Sequence, residues 1–188
     1  PELDFFLNQP DVLKKDFKID KEEIEKIIKK TLIFALQETQ KMRKIEGKNL
    51  TIDLKKRLSG ISNSINKINS LSEKNRSNLI ERYRNKIKLL INNTEIDDIR
   101  LNQEIAILIE RRDISEEIVR FCSHSELFNS YLLDKDTQVG KKMNFILQEM
   151  GREINTIGSK TDLTEISHIV IDMKDDLEKM REQVQNIL

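Results

Sequence analysis

Apolar residues recur at three- and four-residue steps through most of this chain, and no sustained alternation of the strand kind appears. The pattern predicts helices. Asp20 followed by Glu23 resembles a capping box. A helix from about 21 to 46 then places Ile24, Ile27, Ile28, Thr31, Leu32, Ala35 and Leu36 on one side. From Leu50 to about Asn92, Leu54, Leu58, Ile61, Ile65 and Ile68 keep four-three spacing, and the row resumes at Leu79, Tyr83, Ile87 and Leu90. A helix of that length would reach about 65 Å, so a protruding arm or a break near Ser72–Asn78 is expected. A third pattern runs from Ile96 to about Leu133, with a capping box at Asp113 and Glu116 that predicts a kink or two helices. A fourth, about 138–157, turns Val139, Met143, Ile146, Met150, Ile154 and Ile157 inward, and Gly158 is the expected C-terminal cap. Asp162 with Glu165 is a third capping box. Ile166, Val170, Met173, Leu177, Met180, Val184 and Ile187 then alternate four-three over three heptads, which predicts a helix–helix seam.

Breakers are scarce. Both prolines lie in the first ten residues, and five glycines serve 188 residues. Long helices follow. The expected fold is all-α: long antiparallel helices forming an elongated helical bundle or hairpin with coiled-coil-like seams. Three regions are expected: an N-terminal arm over 1–19, a long basic helical hairpin or arm over 20–95, and a C-terminal helical domain over 96–188.

Composition narrows the function classes. Charged residues make up 35% of the chain, and no apolar run nears the roughly 20 residues a bilayer span requires. No secretory signal pattern opens the sequence. One cysteine, Cys122, excludes a disulfide framework within the chain and suits a reducing compartment. A chain that starts at Pro1 reads as a processed product or a piece of a longer protein. The net charge is zero but unevenly spread: 41–88 holds 14 basic and 4 acidic residues, whereas 95–136 holds 11 acidic and 5 basic. Either stretch can be a solvated helix face; the basic one can also attract a polyanion and the acidic one hold cations.

Phosphate loops, Cys-x-x-Cys pairs and zinc-type histidine motifs are absent from the sequence. What remains is carboxylates at helical spacing. Glu110, Asp113, Glu117, Arg120 and His124 form one polar stripe. Two readings fit it: an ordinary water-facing set of i,i+4 pairs, or an oxygen-rich half-site for Mg²⁺ or Mn²⁺ with His124 as ligand or proton carrier. Glu149 and Glu153 place like charges on one helix face, which Arg152 or a metal could neutralise; Thr156 and Lys160 continue that face. His168 reads as a partly buried structural histidine and Cys122 as a small core residue. Tyr83, in the basic stretch, reads as core, or as a stacking surface for a base.

The run from Gly140-Lys141-Lys142-Met143-Asn144-Phe145 through Gln148-Glu149-Met150-Gly151-Arg152-Glu153-Ile154-Asn155-Thr156-Ile157-Gly158-Ser159-Lys160 resembles the C-terminal signature of the bacterial YicC/YloC family. So do Asp113-Ile114-Ser115-Glu116-Glu117-Ile118-Val119-Arg120-Phe121-Cys122-Ser123-His124, Glu46-Gly47-Lys48-Asn49-Leu50, Arg100-Leu101-Asn102-Gln103-Glu104 and the ending Met180 to Ile187. The chain departs from the family pattern at Gly151, where a longer polar residue is expected, and after His124, where an aliphatic residue is usual.

The resemblance implies a cytoplasmic endoribonuclease that depends on a divalent metal cation, Mn²⁺ or Mg²⁺, and assembles as a homo-oligomer, a hexamer being the expectation. It implies RNA as partner, with no membrane and no small-molecule cofactor. It also implies a further N-terminal portion of mixed α/β character, of which residues 1–19 would be the remnant. Glu104, Asp113, Glu117, Glu149 and Glu153 become the expected metal ligands. Glu117, His124, Glu149, Arg152 and Glu153 become the expected catalytic set, and Arg43, Lys48, Arg120 and Lys160 the RNA-binding cations. The alternative is a non-enzymatic helical RNA-binding adaptor or oligomeric scaffold, supported by the strict heptad of the final helix and the lack of an independently recognisable catalytic motif.

Overall fold

The structure, a computed structural model, describes residue 5 and residues 20–90, 98–133 and 139–185. The expected arm over 1–19 (Phe5 apart) and Ile187 of the final heptad lie outside the described residues. The described residues from Asp98 onward and from Lys21 to Leu90 form five helices: α1 (Lys21–Leu90), α2 (Asp98–Glu110), α3 (Ser115–Leu133), α4 (Val139–Lys160) and α5 (Thr164–Gln185). No strand occurs among them, and none of these helices is long and apolar enough to cross a membrane. The all-α expectation holds. The chain divides into two units, Pro1–Glu46 and Gly47–Leu188.

Helix α1 begins as the sequence reading expects: the Glu22 and Glu23 N–H groups donate to Asp20 Oδ1 at 3.0 and 3.4 Å. The break foreseen near Ser72–Asn78 is absent, and Gly47 does not end the helix. Each of these residues carries a backbone N–H, so the ladder has no missing donor, and a glycine or a few polar residues weaken a helix far less than a proline. In the first unit the apolar residues of the predicted row from Ile24 to Leu36 are exposed, Leu32 at 57% among them.

In the second unit the main predicted rows are buried, whereas Leu79, Tyr83 and Ile87 of the resumed α1 row are half-buried. Leu54, Leu58, Ile61, Ile65 and Ile68 of α1 share one core with Phe121 and Phe128 of α3 and the inward residues of α4 and α5. All six described members of the final heptad row, Ile166 to Val184, are buried. Each such side chain contributes about 1.5–3 kcal/mol when fully removed from water. The Arg57 Nη1–Asp176 pair at 3.0 Å and the Lys67–Glu165 pair at 3.4 Å run α1 antiparallel to α5.

Four local expectations are corrected. Gly158 is not a cap: α4 continues to Lys160, and a Cβ on Gly158 would stand 3.0 Å from Val170 Cγ1. The glycine permits close approach of α4 and α5. Asp162 does not cap α5; its carboxylate pairs with Arg82, and the Leu163 N–H donates to Thr161 Oγ1 instead, at 3.2 Å. His168 and Cys122 are exposed, because each falls outside the buried edge of its helix.

Candidate functional site

Helices α3 and α4 pack along their lengths. Two contacts fix their register. Near one end, Lys160 Nζ lies 2.7 Å from Glu117 Oε1; near the other, Lys142 Nζ lies 5.6 Å from the centre of the Tyr131 ring. The helices are therefore antiparallel. Residues seven apart share a helix edge, so Glu117, His124 and Tyr131 line the α3 side. On α4, Lys160, Glu153 and Ile146 share one edge, with Glu149 and Lys142 beside it. This register sets His124 opposite the Glu149–Glu153 turn.

The Glu117 end is closed by reciprocal bonds. Lys160 is the last residue of α4, and its carbonyl, without an intrahelical donor, accepts from Arg112 Nη1 at 2.9 Å. Lys160 Nζ in turn donates to the Asp113 carbonyl at 2.8 Å. Asp113 Oδ1 accepts the Ser115 N–H at 2.8 Å, capping α3. Hydrogen bonding from Ser115, its side chain first and then its backbone, holds the Asp113 carboxyl below the ordinary carboxylate range, with Arg76 and Lys160 adding attraction. Glu117 is buried, 6% exposed, in the first turn of α3 where the helix dipole favours an anion. Its second oxygen, Oε2, is buried without a hydrogen-bond partner among the described residues, a state that costs about 1–3 kcal/mol or more for a charged group.

The remaining predicted residues divide. Glu153 is buried, 8% exposed, and Glu149 is partly covered and paired with Arg152 at 2.7 Å. The like-charge clash at Glu149 is thus relieved by Arg152. Thr156 bonds the Arg152 carbonyl, four residues back, at 3.1 Å. Arg120 is exposed and pairs with Glu116, Glu104 is exposed on α2, and Lys48 is exposed on α1. Arg43 is exposed in the first unit. Among the described residues no three of His, Cys, Asp and Glu come together as a metal site. Among the described residues, the donors on this seam therefore do not by themselves complete a cation site.

Beyond the Glu117 end, a cavity of about 140 Å³ opens where α1, the α2–α3 turn and the α4–α5 turn meet. Its charged lining is Glu73, Arg76, Arg112, Asp113, Lys160 and Asp162. The Arg82 guanidinium beside Asp162 holds that carboxyl below its usual range. The sequence reading missed Arg76 and Arg112 here. Arg112 left a signal, since it stands directly before the Asp113 break in the helical pattern; Arg76 looks like any other cation of the basic stretch.

Comparison with known proteins adds the lineage. Residues 68–188 match the model of the family described as endoribonuclease YicC-like, C-terminal. The chain is 40% identical over 185 residues to a protein of Clostridioides difficile (strain 630) named probable endoribonuclease YicC, covering 95% of this chain and 61% of that protein. It is 31% identical over 150 residues to a Haemophilus influenzae protein of the same name, covering 78% of this chain and 50% of that one. The chain thus spans about half to three-fifths of the length of these relatives. With the signature blocks on α3 and α4 inside the matched region, the chain belongs to the endoribonuclease YicC-like family.

Proposed function

We propose that this chain serves an endoribonuclease that hydrolyses internal phosphodiester bonds of RNA, in RNA degradation, with the polar α3–α4 seam as its reacting site. One observation carries the reading. Glu117 and Glu153 are buried on the very edge where packing alone would place apolar residues. Buried charges are poor stabilisers and accumulate where chemistry requires them. In this reading Glu149 and Glu153 supply carboxylate oxygens, His124 moves a proton, and Arg152 balances charge at the scissile phosphate. Arg43, Lys48 and Arg120 hold the RNA backbone. Lys160, engaged with Glu117, acts by holding that end of the seam together.

A divalent cation, Mn²⁺ or Mg²⁺, belongs to the proposal and would supply charge neutralisation and an activated water. The described residues of one chain do not bring three donors together, so the cation reading requires further oxygen donors from a neighbouring copy or from residues outside those described. A cytoplasmic homo-oligomer, such as a hexamer, accommodates that requirement. The same observation favours the second reading, a helical RNA-binding adaptor with no chemistry of its own.

The test uses the full-length protein and a structured RNA, with Mn²⁺ or EDTA. Glu149→Ala is expected to lower cleavage by about 10²–10⁴-fold while leaving RNA affinity nearly unchanged, the range a positioned acid–base group supplies. Cleavage that survives both EDTA and Glu149→Ala, with contaminating nuclease excluded, would refute the assignment. Binding with no cleavage under any condition would establish the adaptor.

A further inference from the structure

The α3–α4 seam has a second end, some distance from its acids. There Leu127 and Tyr131 of α3 and Lys141, Lys142, Phe145 and Ile146 of α4 line an open groove of about 340 Å³. Its floor is apolar, yet its principal wall is unprotected: Phe145 is 61% exposed and Leu127 44%. A phenylalanine on the outer side of a helix whose other apolar residues are buried gains nothing from the core. The two lysines have no carboxylate partner among the described residues, and Lys142 lies against the Tyr131 ring face. On α4 the next carboxylate along, Glu149, is matched by Arg152. Glu126 of α3 precedes Leu127 but does not line the groove.

Building on the RNA reading above, we propose that this groove is a stacking subsite for an unpaired base of single-stranded RNA. The base lies on Phe145, and Lys141 and Lys142 hold the flanking phosphates. An aromatic face beside unpaired cations is the combination that binds single strands irrespective of sequence. The volume is at the small end of the range of about 300–1,000 Å³ for pockets that take compact ligands. A protein partner seated on the same face would have to remove from water two ammonium groups that have no carboxylate partner among the described residues, which is unfavourable. Along α4 the step from Phe145 to Glu149 is about 6 Å and to Glu153 about 12 Å. A strand anchored at Phe145 therefore reaches the acid-bearing turn within a few nucleotides.

The chain contains no tryptophan, so Phe145→Trp installs a reporter at the site. Being exposed, the position tolerates substitution without unfolding the chain. A twelve-nucleotide oligoadenylate is titrated into this 188-residue chain at low salt, and anisotropy of labelled RNA is followed in parallel. Binding is expected to quench the new fluorescence, Phe145→Ala to weaken affinity roughly 5- to 100-fold, and Lys141→Gln with Lys142→Gln to flatten the salt dependence by about 0.7 per charge removed. RNA binding that Phe145→Ala leaves within twofold overturns the stacking site and spares the RNA reading. No binding by the unsubstituted chain overturns the stacking site, and no binding by the full-length protein overturns the RNA reading with it. Loss of self-association in Phe145→Ala at unchanged RNA affinity overturns the proposal in favour of an interface between copies.

Discussion

The two edges of helix α4 are built to different rules. Toward α5 it presents Leu147, Gly151, Ile154 and Gly158, and the two glycines leave room for Leu177 and Val170. Toward α3 it presents Lys142, Ile146, Glu149, Glu153 and Lys160 against Glu117 and Tyr131. The first edge follows from stability: apolar surface is hidden and small residues let backbones approach. The second does not. A buried ion pair is close to neutral against an apolar pair of the same volume, so burial alone gives no stability reason for charges on this edge. The same 22-residue helix thus separates an apolar seam from a polar one.

The largest expected effect on stability comes from breaking the polar edge by half. Lys160→Met removes the cation beside buried Glu117 and also releases the Asp113 carbonyl. A buried carboxylate left alone costs about 3–5 kcal/mol, which is a fall of roughly 6–20 °C in Tm for a protein of this size. Adding Glu117→Leu to Lys160→Met is expected to restore most of that loss, because neither charge then remains. Urea unfolding of the wild-type, the two single variants and the double variant measures the coupling. Additive losses would mean that the pair is solvated, and the contrast between the edges would fail.

The apolar edge gives smaller effects of opposite sign. At Gly151 a methyl group would meet Leu177 Cδ1 at 3.9 Å, an ordinary contact. Gly151→Ala should therefore stabilise by up to about 1 kcal/mol through helix propensity. At Gly158 the methyl group would press on buried Val170, whose branched side chain has little rotameric freedom. Overpacking of about 1–3 kcal/mol there outweighs the propensity gain, so Gly158→Ala should destabilise by about 1 kcal/mol, and Val170→Ala should partly relieve it. Equal, stabilising shifts at both glycines would show that the seam is looser than its geometry.

The same division explains what could be read from the sequence. Rows that face apolar neighbours were legible: Leu54 to Ile68 and Ile166 to Val184 were placed inside by spacing alone, and they are inside. The break at Asp113 was legible too, since α2 ends at Glu110 and α3 starts at Ser115. Periodicity reports which residues share a face, but it does not report what covers that face. Hence Ile24 to Leu36 were recognised as a helical row although they are exposed in the first unit. It is equally silent on close approach between helices, so a glycine near a helix end, such as Gly158, has the sequence pattern of a cap whether or not it is one. For the polar positions, spacing grouped Glu117 with His124 and Glu149 with Glu153, but it could not reveal that Lys160 is engaged by Glu117 or that Arg112 closes the end of α4. Those contacts join residues 43 and 48 positions apart, and no local pattern records them.

The smallest effect lies at the two turns that begin the partner helices. Asp113 leads into α3 and Asp162 into α5, and both carboxyls sit below the ordinary range in the folded chain. For Asp113 the main cause is hydrogen bonding from Ser115; for Asp162 it is the bond from Arg82, with Arg112 adding attraction. Unfolded, each would titrate near about 3.9. The folded state therefore binds fewer protons through this window. The stability each group contributes is complete above the unfolded value and is lost as pH falls through the folded one. Asp113→Asn keeps a competent helix cap but removes one of these titrations, so it should change little at pH 7 and make the acid limb of stability shallower. Asp162→Asn should also flatten that limb, but it additionally loses the charge pairing with Arg82 at neutral pH, a difference that salt would erase because the pair is solvent-exposed. Thermal melts from pH 7 to pH 2 at low and high salt separate the two. A steeper acid limb in Asp113→Asn would reverse the sign argued here and remove Asp113 as an anchor of the polar edge.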